Sequence, residues 1–212
     1  MTSVEFRTRL NSRIVQAGLS VTVNEISQLD TYYQLLVRWS RTINLTGFQL
    51  DPIENTSLDR LFVEPLMAAR LIANMQSIWF DLGSGGGSPA IPIKIARPAV
   101  SLTMIESRQR KAAFLREVTR ELRFSLCAVV NERFEHVARM AEPAAAADFI
   151  TIRAVRLHRS LLQLMRNFLR PDGRLLVFTN RPVRLQEIRP FTSIETFPLL
   201  PTDESWLSIV TQ

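Results

Sequence analysis

Between Phe80 and Pro89 the chain reads Phe-Asp-Leu-Gly-Ser-Gly-Gly-Gly-Ser-Pro. Glycines in such a run let the backbone turn sharply and approach a ligand with no Cβ in the way. An apolar stretch, Ser77 to Leu82, precedes the run, and a helix-forming stretch follows it from Pro89 or Ala90. Strand, glycine loop and helix in that order are the setting in which nucleotide-type ligands bind. The helix start adds N–H groups that lack helical partners. Glu106 stands 19 residues after Gly87, at the end of the next apolar stretch. A carboxylate there can accept from both ribose hydroxyls of an adenosine.

The spacing selects among cofactors. A dinucleotide loop needs a third glycine where this chain has Ser88. Gly83, Gly85 and Gly87 instead form Gly-x-Gly-x-Gly behind the acidic Asp81. That form suits a ligand without a pyrophosphate, and S-adenosyl-L-methionine is the expected cofactor. Asp81 would face its cationic amino-acid part. Gly83, Ser84, Gly85, Gly87 and Ser88 would form the loop around it, and Glu106 would hold its sugar.

The rest of the chain must position this loop. Residues 1–75 show no period-2 strand pattern and read as an N-terminal helical extension. One helix is expected over Glu5 to Ala17, ended by Gly18. A second, with Asn24 as N-cap, carries Ile26, Leu29, Tyr33, Leu36 and Ile43. A third spans Ser57 to Met75, with Pro65 as a kink or boundary. Residues 76–212 then alternate strand and helix. Strands are expected at Ser77–Leu82, Ser101–Ile105, Ser125–Val130, Asp148–Ile152 and Arg174–Phe178. Helices are expected from Pro89 or Ala90, at Arg108–Leu122, Arg133–Met140 and Ser160–Leu169. Pro171-Asp172-Gly173 reads as a turn and Ala144–Ala147 as a loop. Ile194–Phe197 and Leu207–Val210 read as closing strands that could run antiparallel to the rest. The class is α/β: a Rossmann-like, mostly parallel seven-stranded sheet in one compact unit with the helical extension.

Composition narrows the partners. The 212 residues carry a formal charge of +6, with 24 arginines and only two lysines, Lys94 and Lys111. Planar guanidinium forks suit phosphate contacts and guanine recognition. Arg38, Arg41 and Arg60 are candidate phosphate contacts. Tyr32, Tyr33 and Trp39 read as either core residues or base-stacking platforms. The single cysteine, Cys127, excludes an internal disulfide and lies in an apolar run, where an inert thiol is expected. With two histidines, His136 and His158, few soft metal ligands remain, and no metal is expected. No apolar run reaches the ~18–20 residues that span a bilayer, and Met1–Arg7 is mixed and charged. A cytoplasmic monomer with no membrane contact is expected.

Several segments together resemble one family. Asp81 to Pro92 resembles the cofactor loop of the bacterial small-subunit ribosomal RNA guanine-N7 methyltransferases (RsmG, or GidB), whose glycine run is followed by Pro-Gly-Ile-Pro. Trp39 with Asn44-Leu45-Thr46 resembles the family's helical signature. Glu106-Ser107 with Arg108, Lys111 and Phe114-Leu115 resembles its second-strand acid and the helix beyond. Asn131 to Glu135 resembles its Arg-x-Glu segment, and Ile152-Arg153-Ala154 its Ser-Arg-Ala. The matches run in order over about residues 30 to 180. Departures stand at Leu61 and Pro65, where the family has histidine and serine, at Glu64 for aspartate, and at Ala90 for glycine. Arg181 stands near the place of a missing lysine.

The resemblance implies a class I S-adenosylmethionine-dependent methyltransferase acting on guanine N7 of 16S ribosomal RNA, free or in the 30S subunit. Strand C-termini line the crevice in this architecture, which makes Arg153 the catalytic candidate at the cofactor and substrate edge. Phe134 reads as either an adenine contact or a core residue, and Glu135 as either an adenine-side contact or a solvated helix carboxylate. Guanine N7 carries an in-plane lone pair and no proton, so the transfer needs no general base; it needs alignment and exclusion of water. A methyltransferase drifted to another RNA or a small molecule, and a non-catalytic cofactor-binding paralogue, remain as alternatives.

Overall fold

The computed structural model describes residues 1–72, 75–140, 147–201 and 204–212. Helix α1 spans Ser3–Gln16 and α2 spans Val23–Ser40. Each begins with a reciprocal cap: Thr2 with Glu5, and Thr22 with Glu25. The N-cap of α2 is therefore Thr22 and not Asn24, because only Thr22 has a glutamate three residues on to return the bond. Its last helical residue is Ser40, so Ile43 lies beyond it. Gly18 turns the chain between the two helices at φ +68°.

The third expected helix is broken. Residues Asn55–Leu58 form α3, Asp59–Val63 a single π-helical turn, and Glu64–Ala69 helix α4. Pro65 explains the break. It has no N–H to give Leu61, and its ring would crowd that carbonyl in a regular α-helix. The wide turn moves the Glu64 N–H to Asp59 O, which leaves the Arg60 carbonyl without it. The helix ends at Ala69, short of Met75.

Seven strands follow: β1 Ile78–Leu82, β2 Ser101–Ile105, β3 Cys127–Val130, β4 Ala147–Arg153, β5 Leu169–Thr179, β6 Ser193–Pro198 and β7 Trp206–Thr211. Helices α5 Ala90–Ala96, α6 Gln109–Glu121, α7 Phe134–Met140 and α8 Arg159–Phe168 lie between the first five. Pro92 falls in the first turn of α5, where its missing N–H costs nothing.

The sheet order is β3-β2-β1-β4-β5-β7-β6, parallel over the first five strands and antiparallel at β7 and β6. The Pro171-Asp172-Gly173 turn is corrected. Leu169 already pairs with Ala147, so these residues sit inside β5 as an irregularity where the register to β4 shifts. Of the Ala144–Ala147 loop, residues 144–146 lie outside the described residues, and Ala147 opens β4.

Two apolar cores flank the sheet. One joins α1, α2, the π turn, α4, α5 and α6, with Phe6, Tyr32, Tyr33, Phe62 and Phe114 inside it. Phe6 stacks on Tyr33 at 4.1 Å and meets Phe62 edge-on at 5.3 Å. The other packs α7 and α8 on the opposite face through Leu82, Ile150, Leu162 and Phe168. The first core locks the N-terminal helices onto the same face as α5 and α6. That contact brings α2 and the segment after it over the glycine loop.

Candidate active site

Strand order reverses between β1 and β4, so the chains leaving them diverge and open a crevice at their C-terminal ends. Two adjoining hollows occupy it, sharing Gly83 and Val155. The larger, about 410 Å³, is lined by the loop at Gly83–Gly86, by Ser88, Glu106, Lys111 and Arg153, and by Asn44–Phe48 from the segment between α2 and α3. The smaller, about 250 Å³, is lined by Leu82, Ile105, Ser107, Glu132–Glu135 and Leu161.

The loop's shape comes from its glycines and from what leans on them. Gly83, Gly85 and Gly87 all have φ between +54° and +90°, the left-handed region that glycine adopts without strain. A Cβ on Gly86 would sit 2.9 Å from Leu45 O, and one on Gly87 2.7 Å from Ile91 Cγ1. The Tyr32 hydroxyl, buried in α2, donates to Gly86 O at 2.6 Å. A Cβ on Gly85 would meet only ordinary contacts, with Gly83 O at 3.6 Å, Leu45 O at 3.9 Å and Lys111 Nζ at 4.0 Å.

Glu106 is 6% exposed at the end of β2. Its carboxylate accepts from Gly85 N at 2.9 Å and from Arg108 N at 2.8 Å. It is thus fixed by backbone on both sides, with lone pairs left over on each oxygen for a diol.

Asp81 lies beneath the loop and lines neither hollow. Trp79 Nε1 donates to Thr151 Oγ1 at 2.9 Å, and that hydroxyl donates to Asp81 Oδ1 at 2.5 Å. Asp81 Oδ2 is buried with no hydrogen-bond partner among the described residues. Burial pushes its pKa up to about 6, while the nearby Ser84 and Thr151 hydroxyls and the positive charge of Arg153 act in the opposite direction. The Ser84 hydroxyl itself donates to the Asp81 main-chain carbonyl at 3.0 Å. A buried carboxylate oxygen without a donor, at the base of a glycine cradle, fits a ligand that brings a cationic group.

Arg153 ends β4 and is held from several sides. Its Nη2 bonds Glu64 Oε2 at 2.6 Å, and Nη1 donates to Ser88 Oγ at 3.1 Å and to the Arg60 carbonyl. The guanidinium lies over the Phe178 ring, 4.7 Å from its centre. The π turn makes this possible. It frees the Arg60 carbonyl for Arg153, while the Leu61 carbonyl, with no Pro65 N–H to take, accepts the Ser88 hydroxyl at 2.9 Å. Burial pulls the Arg153 pKa down to about 10, with Glu64 acting in the opposite direction. At neutral pH the group stays charged.

The residues expected from sequence thus separate into three sets. Gly83, Ser84, Gly85, Ser88, Glu106 and Arg153 line one hollow. Phe134 and Glu135 line its neighbour, together with Gly83. Asp81 and Gly87 support the loop from behind. Phe134 is buried and meets Phe168 edge-on at 5.5 Å. Tyr32 and Tyr33 belong to the core, and Trp39 packs on Phe114 while bonding Glu117. Of the candidate phosphate contacts, Arg38 pairs with Glu117 and Arg60 with Glu64. Arg181 pairs with Glu187 at the surface. His136 pairs with Glu132, and His158 caps α8.

Sequence reasoning missed Glu64 as the partner of Arg153, and Asn44–Phe48 and Val155 as walls. The signal for Glu64 was present: an acid directly before a proline that must break a helix. Among the described residues, no group of three His, Cys, Asp or Glu is placed to hold a metal ion, and no helix is long and apolar enough to cross a membrane.

Residues 25–189 match the family model for rRNA small subunit methyltransferase G, GidB. The protein named ribosomal RNA small subunit methyltransferase G from Polynucleobacter asymbioticus is 33% identical over 189 residues, covering 88% of this chain and 83% of its own length. That of the same name from Chromobacterium violaceum is 30% identical over 191 residues, covering 89% and 83%. In fold, the chain resembles a putative O-methyltransferase from Klebsiella pneumoniae, with TM-score 0.63 at 13% identity and 99% of both chains covered. It also resembles a point mutant of MtNAS, solved in complex with S-adenosylmethionine, with TM-score 0.57 at 13% identity, covering 87% of this chain and 74% of that one. The resemblance seen in the sequence therefore holds across the matched length, and the chain belongs to the GidB family, the rRNA small subunit methyltransferases G.

Proposed function

We propose that this protein transfers the methyl group of S-adenosylmethionine to N7 of a guanine in 16S ribosomal RNA. Glu106 carries the reading: a buried carboxylate, pinned by Gly85 N and Arg108 N, at the lip of a glycine cradle. Glu106 would hold the ribose, Phe134 and Glu135 the adenine side, and the Gly83–Gly86 backbone the amino-acid end. Asp81 would offset its positive charge from below. When bound, the cofactor supplies an electrophilic methyl on sulfur.

The chain's own work is then alignment. N7 already has its lone pair, so no residue has to remove a proton. Arg153 stays charged and is held rigidly by Glu64, Ser88 and the Arg60 carbonyl at the edge of the larger hollow. From there it is suited to orient a guanine through O6. Asn44–Phe48 and Leu36 form the opposite wall, and with the base seated they would keep water out.

The test is methylation with labelled cofactor on naked 16S RNA, 30S subunits and free nucleosides. Label in ribosomal RNA that maps to a borohydride–aniline cleavage site supports N7. Tight S-adenosylhomocysteine binding by calorimetry with no labelled RNA would instead identify a cofactor-binding paralogue.

A further inference from the structure

Six arginines and one acid, Glu187, occupy residues 153–160 and 180–192, in a chain whose total formal charge is +6. These two segments follow β4 and β5. The strands are parallel neighbours, with Arg153 opposite Phe178 at their ends, so both segments emerge side by side on the edge that carries the cofactor crevice. Arg181 is engaged by Glu187, and Arg153 by Glu64. Arg156, Arg159 and Arg189 are exposed. Among the described residues none of them has a carboxylate within 4.0 Å. Leaving like charges unpaired and close together costs free energy unless an anionic partner joins them.

Between the segments lies a groove of about 600 Å³, separate from the two hollows described above. Leu157, His158 and Arg159 form one wall, and Glu187, Arg189, Pro190 and Thr192 the other, the charge of Glu187 being offset by Arg181 at 2.9 Å. Its size is that of a nucleotide-scale site. Val155 lines both cofactor hollows, and His158, three residues on, lines this groove. Three residues reach at most about 11 Å. A chain whose reactive base sits in the larger hollow would therefore carry its next phosphates past Arg159 and Arg189.

We infer that this groove is a docking site for the single-stranded RNA segment flanking the target base, held by Arg159 and Arg189 on its phosphates. The inference rests on the RNA reading above. An RNA strand fits better than an acidic peptide for two reasons. The cations are guanidinium forks, whose geometry matches phosphate oxygens. They also continue directly from the site where the base must react. The apolar parts of Leu157 and Pro190 between them would pack on a base without selecting its identity.

The test compares the intact wild-type chain with the double variant Arg159→Gln/Arg189→Gln. The probe is a short fluorescein-labelled single-stranded oligoribonucleotide of mixed sequence, followed by anisotropy across a salt series. Two lost phosphate contacts should weaken binding about tenfold at low salt. They should also make the slope of log K against log salt shallower by about 1.4, at about 0.7 per contact. Calorimetric affinity for S-adenosylhomocysteine and the melting temperature should match wild type. Arg123→Gln, exposed at the opposite edge of the sheet, should leave RNA binding unchanged. Wild-type chain that binds and methylates RNA, with a double variant of equal affinity and slope, overturns the docking site alone. Wild-type chain that binds no RNA overturns both this site and the proposed substrate.

Discussion

Glu64 and Arg153 lie 89 residues apart in sequence and 2.6 Å apart in space. Their pair ties the start of α4 to the end of β4, and so joins the N-terminal helices to the crevice. Glu64 is 1% exposed, and its other oxygen takes Arg60 at 3.0 Å.

Removing one partner of a buried pair strands the other. We expect Glu64→Gln to cost about 3 kcal/mol or more of unfolding free energy in urea. Replacing both, as Glu64→Leu with Arg153→Met, should cost less than either single change. Equal losses for all three would show that the pair is not coupled. Arg153→Lys should keep the charge yet lose methyl transfer, because one ammonium cannot reach Glu64, Ser88 and the Arg60 carbonyl together.

Glu106→Ala removes two charge-assisted bonds to backbone and the proposed ribose contact. Each such bond is worth about 1.5–3 kcal/mol. Affinity for S-adenosylhomocysteine should fall at least tenfold by calorimetry, with Glu106→Gln intermediate. Unchanged affinity would remove Glu106 from the site.

Gly86→Ala and Gly87→Ala both bring a methyl into occupied space, at 2.9 Å from backbone and 2.7 Å from Ile91 respectively. Gly87 has the further burden of φ +90°. Each should lower stability by about 1–3 kcal/mol and weaken cofactor binding. Gly47→Ala, with nothing among the described residues within 4 Å of the added carbon, is the steric control and should leave stability unchanged.

Asp81 gives a pH dependence. Its pKa is raised in the folded chain to about 6, above the usual 3.8. The folded state therefore binds its proton more readily than the unfolded state. This group's contribution favours folding below pH 4 and weakens as pH rises through 6. A cationic ligand prefers the ionised form, so affinity for S-adenosylmethionine should rise between pH 5 and 7. Asp81→Asn should flatten that rise. A profile identical to wild type would mean that Asp81 does not sense the ligand.

Cys127→Ala should leave methyl transfer within twofold of wild type. Burial pushes the thiol pKa up, and Cys127 Sγ lies 3.9 Å from Thr119 Oγ1 on the face of α6, away from the crevice. A large loss of activity with normal folding would point to cysteine chemistry.

The glycine loop, its strand, Glu106 and the alternation of strands and helices could all be read from residue order. These features are local: a backbone that needs positive φ demands glycine, and apolar spacing reports which face is covered. The family could be read too, because its motifs are short runs with fixed internal spacing. The path of the N-terminal helices could not. Thr22 displaced Asn24 as cap because the return bond needs Glu25, and Pro65 did more than bend a helix. By forcing a π turn it freed two carbonyls, which Arg153 and Ser88 then took. Whether Arg153 is a surface arginine or a buried anchor depends on Glu64, and nothing in the order of residues says that the two meet. That was settled only when the first core pressed α2 and α4 against α5. There the cost of burying each charge is offset by the other, and neither side chain can keep its place alone.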